Sequence, residues 1–571
     1  MKRIIRLLSC LLVPVLLCGM LSSCTTEGGG DTPEQPQDEA ALTAVRESLV
    51  KATETKGFGE LTAMELYENG VRTASDEFVQ VRDNKKLYYA GDVKRVVNYP
   101  DGYILDMPAD WVPDYSMSTV RCRYVSDDVT LIATVEEEAT RQYGGAQPYI
   151  EQVFQYITAD EYQTLNRVKK LSEETVSLDD EFQAYVLKMQ MLECAASVKS
   201  YYTYVVIYNN VNRCVQLMFK AIDDRDFASV YQSFRTIVKK GAAMDTVTYP
   251  REDNPSWSDA TAAYYHELTE RDNITWGVFS GNLTETNTMR LQVPNLEKKL
   301  DFTFPLISSY SAMGWDFPLK EAQALTEDGR HLQYTFHYSY WTGEAGMGRK
   351  APILDVYRGM HDADLEKVAE GIVEYGQPML FRLNNEMNSD WTDWSALNCM
   401  LDPEIFTETW IRMYQIFEKA GANANCIWIW NPQADYGIPR GANWADTRTY
   451  MPGADYVDMI GVTYYNFGTE DTWASYEYLY DWIDRYYSAY FGDWSWIISE
   501  FGCSDTAEPS RKAQWIKEMF DCMGEGKYPN IKAAVWFNRN DYENGEITHR
   551  LVLEESKEIL DAFKDGLKRT Q

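Results

Sequence analysis

Two glutamates follow or end short apolar runs, and their positions could support acid–base and nucleophilic chemistry. Glu386 follows the apolar run that begins at Met379, and Glu500 ends the run that begins at Trp496. In a barrel of alternating strands and helices, catalytic groups lie where strands end and the following loops begin. Two carboxylates at that end could cleave a glycosidic bond with retention. One would donate a proton to the leaving oxygen and the other would attack the sugar.

The residues around each glutamate form a recognisable pattern. Residues 382–391 read Arg-Leu-Asn-Asn-Glu-Met-Asn-Ser-Asp-Trp, and residues 499–502 read Ser-Glu-Phe-Gly. The first stretch resembles the Arg-x-x-His-Glu-Met-Asn-Gly-x-Trp signature on the fourth strand of glycoside hydrolase family 26. That is the β-mannanase family of the large (β/α)8 glycosidase clan. The second stretch is similar to the family's nucleophile motif on the seventh strand. The resemblance implies that Glu386 is the acid/base and Glu500 the nucleophile.

One position departs from the family pattern. Asn385 stands where the family usually has His, whereas the wider clan commonly has Asn before the acid/base glutamate. The resemblance to the clan implies that Asn385 could bind the sugar 2-hydroxyl, an interaction that contributes mainly in the transition state. The family favours β-mannan as substrate, but Asn385 leaves a mixed-linkage or β-1,3-glucan, or xylan, open.

The resemblance also gives roles to residues that would support the nucleophile. It implies that Tyr465, at the end of the predicted sixth strand, donates a hydrogen bond to the Glu500 carboxylate, with the adjacent Tyr464 as the alternative. Arg382 lies inside the fourth-strand motif and would keep Glu500 ionised through charge-assisted hydrogen bonds. A core tyrosine and a buried structural arginine would leave the same sequence pattern.

Three further residues are candidates for contact with substrate. His337 ends the predicted third strand and is similar to a family histidine near the cleavage subsite. Trp391 falls on the family motif, and Trp536 lies at the end of the predicted eighth strand. Each tryptophan could form a platform on which a sugar ring stacks. A satisfied core histidine is the alternative for His337.

The C-terminal half shows the alternation of elements that a barrel requires. From Ile274 onward, strand-like apolar runs recur with helical stretches between them, which predicts βα units. Eight runs over about 290 residues is a normal size for a (β/α)8 barrel. The predicted strands are 276–279, 306–310, 332–337, one ending at 386, 426–430, 456–465, one ending at 500, and 531–537. The predicted fold class is therefore α/β, with a TIM barrel over residues 271–571.

A smaller α+β domain is predicted to precede the barrel, over residues 41–245. Its core, about 92–240, has strand-like runs in an antiparallel pattern, with helices predicted at 148–156 and 227–239. The pattern vaguely resembles PsbP-like domains. It contains no catalytic constellation, so a spacer and an auxiliary sugar-binding role are both open. Residues 246–270, with Pro250 and Pro255, are predicted to be a linker.

The N-terminal residues have the pattern of a targeting segment. Basic residues, including Lys2 and Arg6, precede an apolar run over 7–21, and Leu21-Ser-Ser-Cys24 resembles a bacterial lipobox. This predicts a signal peptide over 1–23, lipidation of Cys24 and a flexible tether over 24–40. We expect a lipid anchor to hold the protein at the outer membrane of the bacterial envelope, where it would face either the periplasm or the cell surface. An ordinary secretory peptide cut nearby is the alternative.

Composition restricts the classes of partner. The formal net charge of −33 opposes binding to nucleic acid or to an anionic polysaccharide, because both would be repelled. An uncharged glycan is compatible with this charge. Only five His are present and no zinc motif, which argues against a metal hydrolase. No cofactor is expected.

Together these features predict a retaining, endo-acting hydrolase of a neutral plant or microbial β-glycan that works by double displacement with two glutamates. Endo action follows from family habit alone. The expected partners are the β-glycan, the membrane through the lipid anchor, and other glycan-utilisation proteins of the envelope. A non-catalytic surface lipoprotein that binds glycans with the same barrel is the alternative from another functional class.

Overall fold

The fold is taken from a computed structural model of the chain. It describes residues 67–68, 71–72, 85–209, 213–340, 347–434, 442–468, 473–504, 509–543 and 545–570. The predicted signal peptide, Cys24 and the tether lie outside these ranges. Within them, no helix combines the length and the apolar character that crossing a membrane requires.

The described part of the N-terminal domain is built on two large antiparallel sheets and a separate two-stranded one. Its strands are β1 (Tyr67–Glu68), β2 (Val71–Arg72), β3 (Lys85–Ala90), β4 (Val93–Asn98), β5 (Tyr103–Pro108), β6 (Val112–Asp114), β7 (Cys122–Val125), β8 (Val129–Glu136), β9 (Val168–Ser177), β10 (Gln183–Met191), β11 (Tyr201–Tyr208), β12 (Cys214–Ala221) and β13 (Arg235–Thr236). Seven strands form one sheet in the order β6-β7-β8-β12-β11-β10-β9, and four form the other in the order β13-β5-β4-β3. Strands β1 and β2 pair with each other. The helices of this part are α1 (Glu137–Gln142), α2 (Ala146–Thr158), α3 (Asp160–Asn166) and α4 (Ala228–Tyr231).

The seven-stranded sheet is covered on both faces. Strand β12 is buried along its whole length, and its side chains alternate between two core clusters. Val215, Leu217 and Phe219 belong to the cluster shared with the four-stranded sheet. Cys214 and Met218 belong to the cluster that also contains residues of α2 and of the barrel. The predicted smaller α+β domain is therefore confirmed as a sheet-rich layer packed against the barrel.

The predicted helix at 227–239 is wrong over most of its length. Only Ala228–Tyr231 is helical, and the chain then forms β13, which pairs with β5. Apolar side chains at Phe227, Val230 and Phe234 have helical spacing, but they serve one short turn buried between the sheets. The prediction at 148–156 is confirmed by α2, which extends two residues further at each end.

Part of the predicted linker 246–270 is a helix, α5 (Asp259–Glu270), which begins after Ser258, whose hydroxyl accepts from Thr261 N. Tyr264, Tyr265 and Leu268 of α5 share a core cluster with residues of the barrel strands, most of which lie in the first half of their strand. The helix therefore covers the end of the barrel opposite the two glutamates. The linker prediction needs correction from residue 259 onward, because this stretch packs as part of the barrel.

The C-terminal half is a closed barrel of eight parallel strands. The strands are β14 (Thr275–Phe279), β15 (Leu306–Ala312), β16 (His331–His337), β17 (Met379–Leu383), β18 (Cys426–Trp430), β19 (Met459–Asn466), β20 (Trp496–Cys503) and β21 (Ile531–Phe537). Each pairs with the next, and β21 pairs with β14 to close the barrel. The predicted (β/α)8 fold class is confirmed, with all eight strands close to their predicted positions.

Helices and short elements surround this barrel. The helices are α6 (Val293–Leu300), α7 (Leu319–Glu327), α8 (Pro352–Tyr357), α9 (Asp362–Tyr375), α10 (Pro403–Ala420), α11 (Tyr476–Phe491), α12 (Pro509–Gly524) and α13 (Lys557–Arg569). A π-helical turn, Thr288–Gln292, precedes α6, and short 3-10 segments lie at Ala396–Asn398, Ala422–Asn425, Thr447–Tyr450, Ala454–Tyr456 and Leu553–Glu555. A hairpin of β22 (Asp541–Glu543) and β23 (Glu546–His549) follows the last barrel strand.

Candidate active site

Glu386 lies on a tight turn just beyond β17. The strand ends at Leu383, and both Asn384 and Glu386 have left-handed backbone angles, with φ of 44° and 60°. Residues other than glycine seldom adopt this conformation, which persists only where the surroundings hold it. Here the backbone N–H of Glu386 donates to the carbonyl oxygen of Asn431, 2.8 Å away in the loop after β18. The neighbouring strand therefore fixes the backbone that carries Glu386.

Glu500 lies inside β20, which continues to Cys503 rather than ending at the glutamate. Its carboxylate accepts hydrogen bonds from three side chains on other strands. The Tyr465 hydroxyl lies 2.7 Å from Oε1, and Arg382 Nη2 lies 3.1 Å from Oε2, which also accepts from the Tyr310 hydroxyl. Donors of this kind stabilise the ionised form of a carboxyl group.

Arg382 is fully buried in the barrel and is held at each end of its guanidinium group. Its Nε donates to Thr335 Oγ1 at 2.8 Å, and Nη1 donates to Asn431 Oδ1 at 3.0 Å. Burial lowers the pKa of Arg382, but Tyr310 and Glu500 outweigh this effect, and the pKa stands above its ordinary value. Arg382 is therefore a fixed positive charge beside Glu500.

Trp391 contacts the carboxyl group of Glu386 and is partly exposed to solvent. Its indole Nε1 donates to Glu386 Oε2 at 3.0 Å, and 45% of the residue is exposed. A tryptophan in this position can orient the carboxyl group and still present a ring face to a sugar.

His337 and Asn385 form a hydrogen-bonded pair behind the two glutamates. Their Nε2 and Oδ1 atoms are 2.7 Å apart, and both side chains are buried. Burial lowers the pKa of His337 to about 3, so the ring is neutral near pH 7. Because Asn385 Oδ1 is an acceptor, His337 Nε2 is the donor, and Asn385 can offer its amide group to a ligand.

One cleft of about 590 Å³ contains most of these groups. It is lined by Phe279, Asn282, Tyr310, His337, Ser339, Asn385, Glu386, Trp391, Thr392, Asp393, Trp394, Glu500, Phe537, Arg539, Asn540, Asp541 and Tyr542. The cleft lies at the end of the barrel where the loops leave the C-terminal ends of the strands. The structure therefore brings the two glutamates, His337, Asn385 and Trp391 to one surface, with Arg382 and Tyr465 bonded directly to Glu500.

Trp536 does not belong to this cleft, and its assignment as a stacking platform is wrong. The side chain is fully buried, and its Nε1 donates to Leu551 O at 3.1 Å. Its ring packs among Trp515 and Phe563 in the layer between the barrel and the helices. Side chains alternate across a strand, so the next residue, Phe537, lines the cleft instead.

Comparison with known proteins matches one part of the barrel to a family. Residues 353–489 match the model described as Glycosyl hydrolase family 26, a stretch that includes Glu386 and Tyr465 and ends shortly before Glu500. These residues form a glycosyl hydrolase family 26 domain. The assignment agrees with the resemblance seen at the fourth-strand motif.

The chain aligns with only part of the sequence of each individual relative. Endoglucanase H of Acetivibrio thermocellus is 27% identical over 275 residues, which are 47% of this chain and 28% of that protein. A mannan endo-1,4-beta-mannosidase of Bacillus subtilis is 30% identical over 112 residues, 18% of this chain and 28% of that protein. The chain thus spans less than a third of each relative. Among solved structures, the catalytic domain of the Bacillus sp. JAMB-750 endo-beta-1,4-mannanase shows 15% identity and a TM-score of 0.43, covering 56% of this chain and 92% of that one.

The cleft contains residues that the sequence reasoning does not select. Tyr310 lies in β15 and donates to Glu500, whereas the sequence predicts it only as the end of a strand. The same attention to strand ends that selected His337 could have selected it. Arg539, Asp541 and Tyr542 line the cleft after β21, and no sequence signal distinguished them from an ordinary loop.

The described part of the chain contains no metal centre. There, no three His, Cys, Asp or Glu side chains converge closely enough to hold a metal ion.

Proposed function

We propose that this protein is a retaining, endo-acting glycoside hydrolase that cleaves a neutral β-glycan, with β-mannan as the favoured candidate substrate. The observation that carries the proposal is the pair Glu386 and Glu500 in one cleft, with different partners. Glu500 accepts from an arginine and two tyrosines, whereas Glu386 accepts from the indole of Trp391. This asymmetry suits a nucleophile that stays ionised and an acid that exchanges a proton.

The mechanism follows from that division. Glu500 attacks the anomeric carbon while Glu386 donates its proton to the glycosidic oxygen, and the chain beyond that oxygen departs. Glu386, now ionised, takes a proton from water as the water attacks the glycosyl-enzyme and releases Glu500. Arg382 and the two tyrosine hydroxyls hold Glu500 in its attacking position through charge-assisted hydrogen bonds.

The family and the charge of the chain support a neutral glycan and β-mannan in particular. Two relatives carry the name mannan endo-1,4-beta-mannosidase. Exposed Trp391 and Tyr542 supply ring faces in the cleft. The net charge of −33 would repel an anionic polymer.

A β-glucan is the second candidate, because two observations favour it. Asn385 replaces the family's histidine beside Glu386, at the position where the wider clan commonly has Asn. The relative with the longest matched stretch, 275 residues, is named Endoglucanase H. The choice between the two polymers depends on the configuration of the sugar 2-hydroxyl that Asn385 would meet.

The decisive experiment is an activity screen of the protein from residue 25 onward on mannan, galactomannan, mixed-linkage glucan, β-1,3-glucan and xylan. Glu386→Ala is the inactive variant, and Glu151→Ala, at an exposed glutamate on α2, is the matched control. We expect product from one polymer class with the wild type and the control, and none with Glu386→Ala. Undiminished product with Glu386→Ala would contradict the proposal. Binding of a polymer without product would favour the non-catalytic glycan-binding alternative.

We also propose that the enzyme is anchored to the bacterial envelope by lipid on Cys24, on the strength of the lipobox-like Leu21-Ser-Ser-Cys24. Metabolic labelling with a radioactive fatty acid tests this. We expect label on the wild type and its loss in Cys24→Ala, and an unlabelled wild type in a bacterial host would contradict the anchor.

A further inference from the structure

The loop that carries Glu386 ends in a backbone conformation that needs outside support. We call residues 384–402, between β17 and α10, the acid/base loop. Near its end Met400 and Leu401 have left-handed angles, with φ of 56° and 53°, and both side chains are fully buried. Two consecutive residues of this kind persist only where their surroundings hold them.

Tyrosines of the N-terminal domain supply part of that support. The Tyr162 hydroxyl, from α3, donates to the carbonyl oxygen of Asn398 at 2.6 Å. The Tyr204 hydroxyl, from β11, donates to the carbonyl oxygen of Met400. Both tyrosines are fully buried. The other domain therefore satisfies two backbone acceptors of the acid/base loop.

A buried ionic contact anchors the last residue of the loop. Lys220 Nζ, from β12, lies 2.9 Å from Asp402 Oδ2, and the Tyr202 hydroxyl lies 3.0 Å from the same oxygen. The other carboxylate oxygen of Asp402 accepts from the backbone N–H of Glu404 and caps α10. The N-terminal domain thus holds the point at which the loop enters the helix.

Contacts within the loop connect these anchors to the glutamate. Asn398 Nδ2 donates to the carbonyl oxygen of Asp393 at 3.3 Å. The next residue, Trp394, donates from its indole to the carbonyl oxygen of Asn385 at 2.8 Å, and Asn385 is bonded to Glu386 through the chain. A shift of the anchored end would therefore be transmitted to the residue that must deliver the proton.

We propose that the N-terminal domain positions the acid/base, with Tyr162 and Tyr204 as its positioning residues. The inference rests on the proposed function, since it assigns proton transfer to Glu386. A domain that served only as a spacer would need no contact with the acid/base loop. Proton transfer by a well-placed group contributes about 10²–10⁴-fold to rate, so a displaced Glu386 has a measurable cost.

The test compares two substrates that differ in their need for an acid. The double variant Tyr162→Phe, Tyr204→Phe removes both hydroxyls and keeps both rings. Tyr185→Phe is the matched control, because Tyr185 lies in the same sheet and donates to Glu173 on the neighbouring strand. The substrates are the polysaccharide that the screen identifies and a dinitrophenyl β-glycoside of the same sugar, whose leaving group departs without a proton.

We expect the double variant to lower kcat/KM on the polysaccharide by about tenfold or more, within the range that acid catalysis contributes. On the dinitrophenyl glycoside its kcat/KM should stay within about twofold of wild type, because Glu500 still attacks an intact site. The control should match wild type on both substrates. Equal losses on the two substrates, or no loss on either, would overturn the positioning role.

Amide hydrogen exchange supplies a readout that needs no activity. The double variant should exchange faster across residues 385–402, with β18 unchanged as an internal reference. Unchanged exchange across 385–402 would overturn the inference. A wild-type protein that is inactive on every polymer, with faster exchange in the double variant, would instead overturn the proposed function and leave the domain contact established.

Discussion

At the scale of residues, the carboxylate of Glu500 is held by side chains from three other strands. Arg382 is a buried fixed charge, and the hydroxyls of Tyr310 and Tyr465 donate to the two carboxylate oxygens. All three donors come from strands of the same barrel, so closing the barrel is what brings them together. The fold thus holds the carboxylate of Glu500 in place before any substrate binds.

Tyr310→Phe should lower kcat/KM by about tenfold or more, because a hydrogen bond to a charged group is worth roughly 1.5–3 kcal/mol. The variant keeps the ring that packs against Arg382. Steady-state kinetics on the identified glycan is the measurement. Tyr334→Phe, in the packed layer outside the barrel, is the control and should keep its activity. Activity of Tyr310→Phe within twofold of wild type would contradict a role for the hydroxyl.

The two candidate tryptophans should respond in opposite ways. Trp391→Ala should raise KM and lower kcat, with a change in unfolding free energy near 0.5 kcal/mol or less, because the residue is 45% exposed. Trp536→Ala should lower the unfolding free energy by about 3–5 kcal/mol, because it empties a buried site. Urea unfolding and kinetics on both variants decide the matter. A stable Trp536→Ala protein that had lost only substrate affinity would show that Trp536 binds substrate and is not a packing residue.

At the scale of elements, apolar runs located the barrel strands well. The fifth and eighth strands, Cys426–Trp430 and Ile531–Phe537, have their predicted bounds, because a continuous buried strand leaves a clear apolar signal. The apolar residues of 227–239 have helical spacing, but only a single turn of this stretch is helical. The local pattern therefore predicts a longer helix than the structure contains. The sequence predicts a linker where helix α5 lies, because α5 packs on barrel residues that are distant from it in sequence.

Leu268→Ala should therefore lower the unfolding free energy by about 2–5 kcal/mol, although it lies in the stretch predicted to be a linker. Leu268 is almost completely buried against the barrel. Glu267→Ala, one residue before it and exposed, is the control and should change stability by no more than about 0.5 kcal/mol. Chemical unfolding of both variants tests whether α5 covers the end of the barrel. Equal unfolding free energies for the two variants would show that it does not.

At the scale of the whole molecule, the two domains share one apolar core. Tyr149 and Met218 of the N-terminal domain lie in the same cluster as Leu397 and Trp444 of the barrel. The sequence could predict two domains and the motif of each glutamate, because those signals are local. It could not predict that Tyr162 and Tyr204 reach the acid/base loop, since that contact depends on how two folded surfaces meet.

A buried carboxyl group where the two domains meet makes the free energy of unfolding depend on pH. Glu136 accepts from Thr134 Oγ1 at 3.0 Å and from the Tyr149 hydroxyl, which in turn accepts from Trp444 Nε1 of the barrel. Burial raises the pKa of Glu136 to about 7 despite these hydrogen bonds. An unfolded glutamate has a pKa of about 4.3. The folded state therefore binds this proton more tightly, and stability is lost as pH rises from about 4.3 through 7.

We expect the wild type to be more stable at pH 6 than at pH 8. Burial also raises the pKa of Glu408 and of Asp458 to about 7, and these carboxyls outweigh the opposite effect of His331 and His337, whose pKa values burial lowers. Urea unfolding at both pH values is the measurement. In Glu136→Gln the gain between pH 8 and pH 6 should shrink by about 1 kcal/mol. The same gain in the variant and the wild type would contradict a raised pKa at Glu136.

Covalent labelling of Glu500 is the most direct test of the two-carboxylate mechanism. The protein is incubated with an activated fluorosugar glycoside, whose glycosyl-enzyme forms but hydrolyses slowly, and the labelled peptide is identified by mass spectrometry. One sugar on the peptide that contains Glu500, and none in Glu500→Gln, is the result that the retaining mechanism predicts. A sugar attached to Glu386, or turnover of glycan with no covalent adduct at any time, would contradict it.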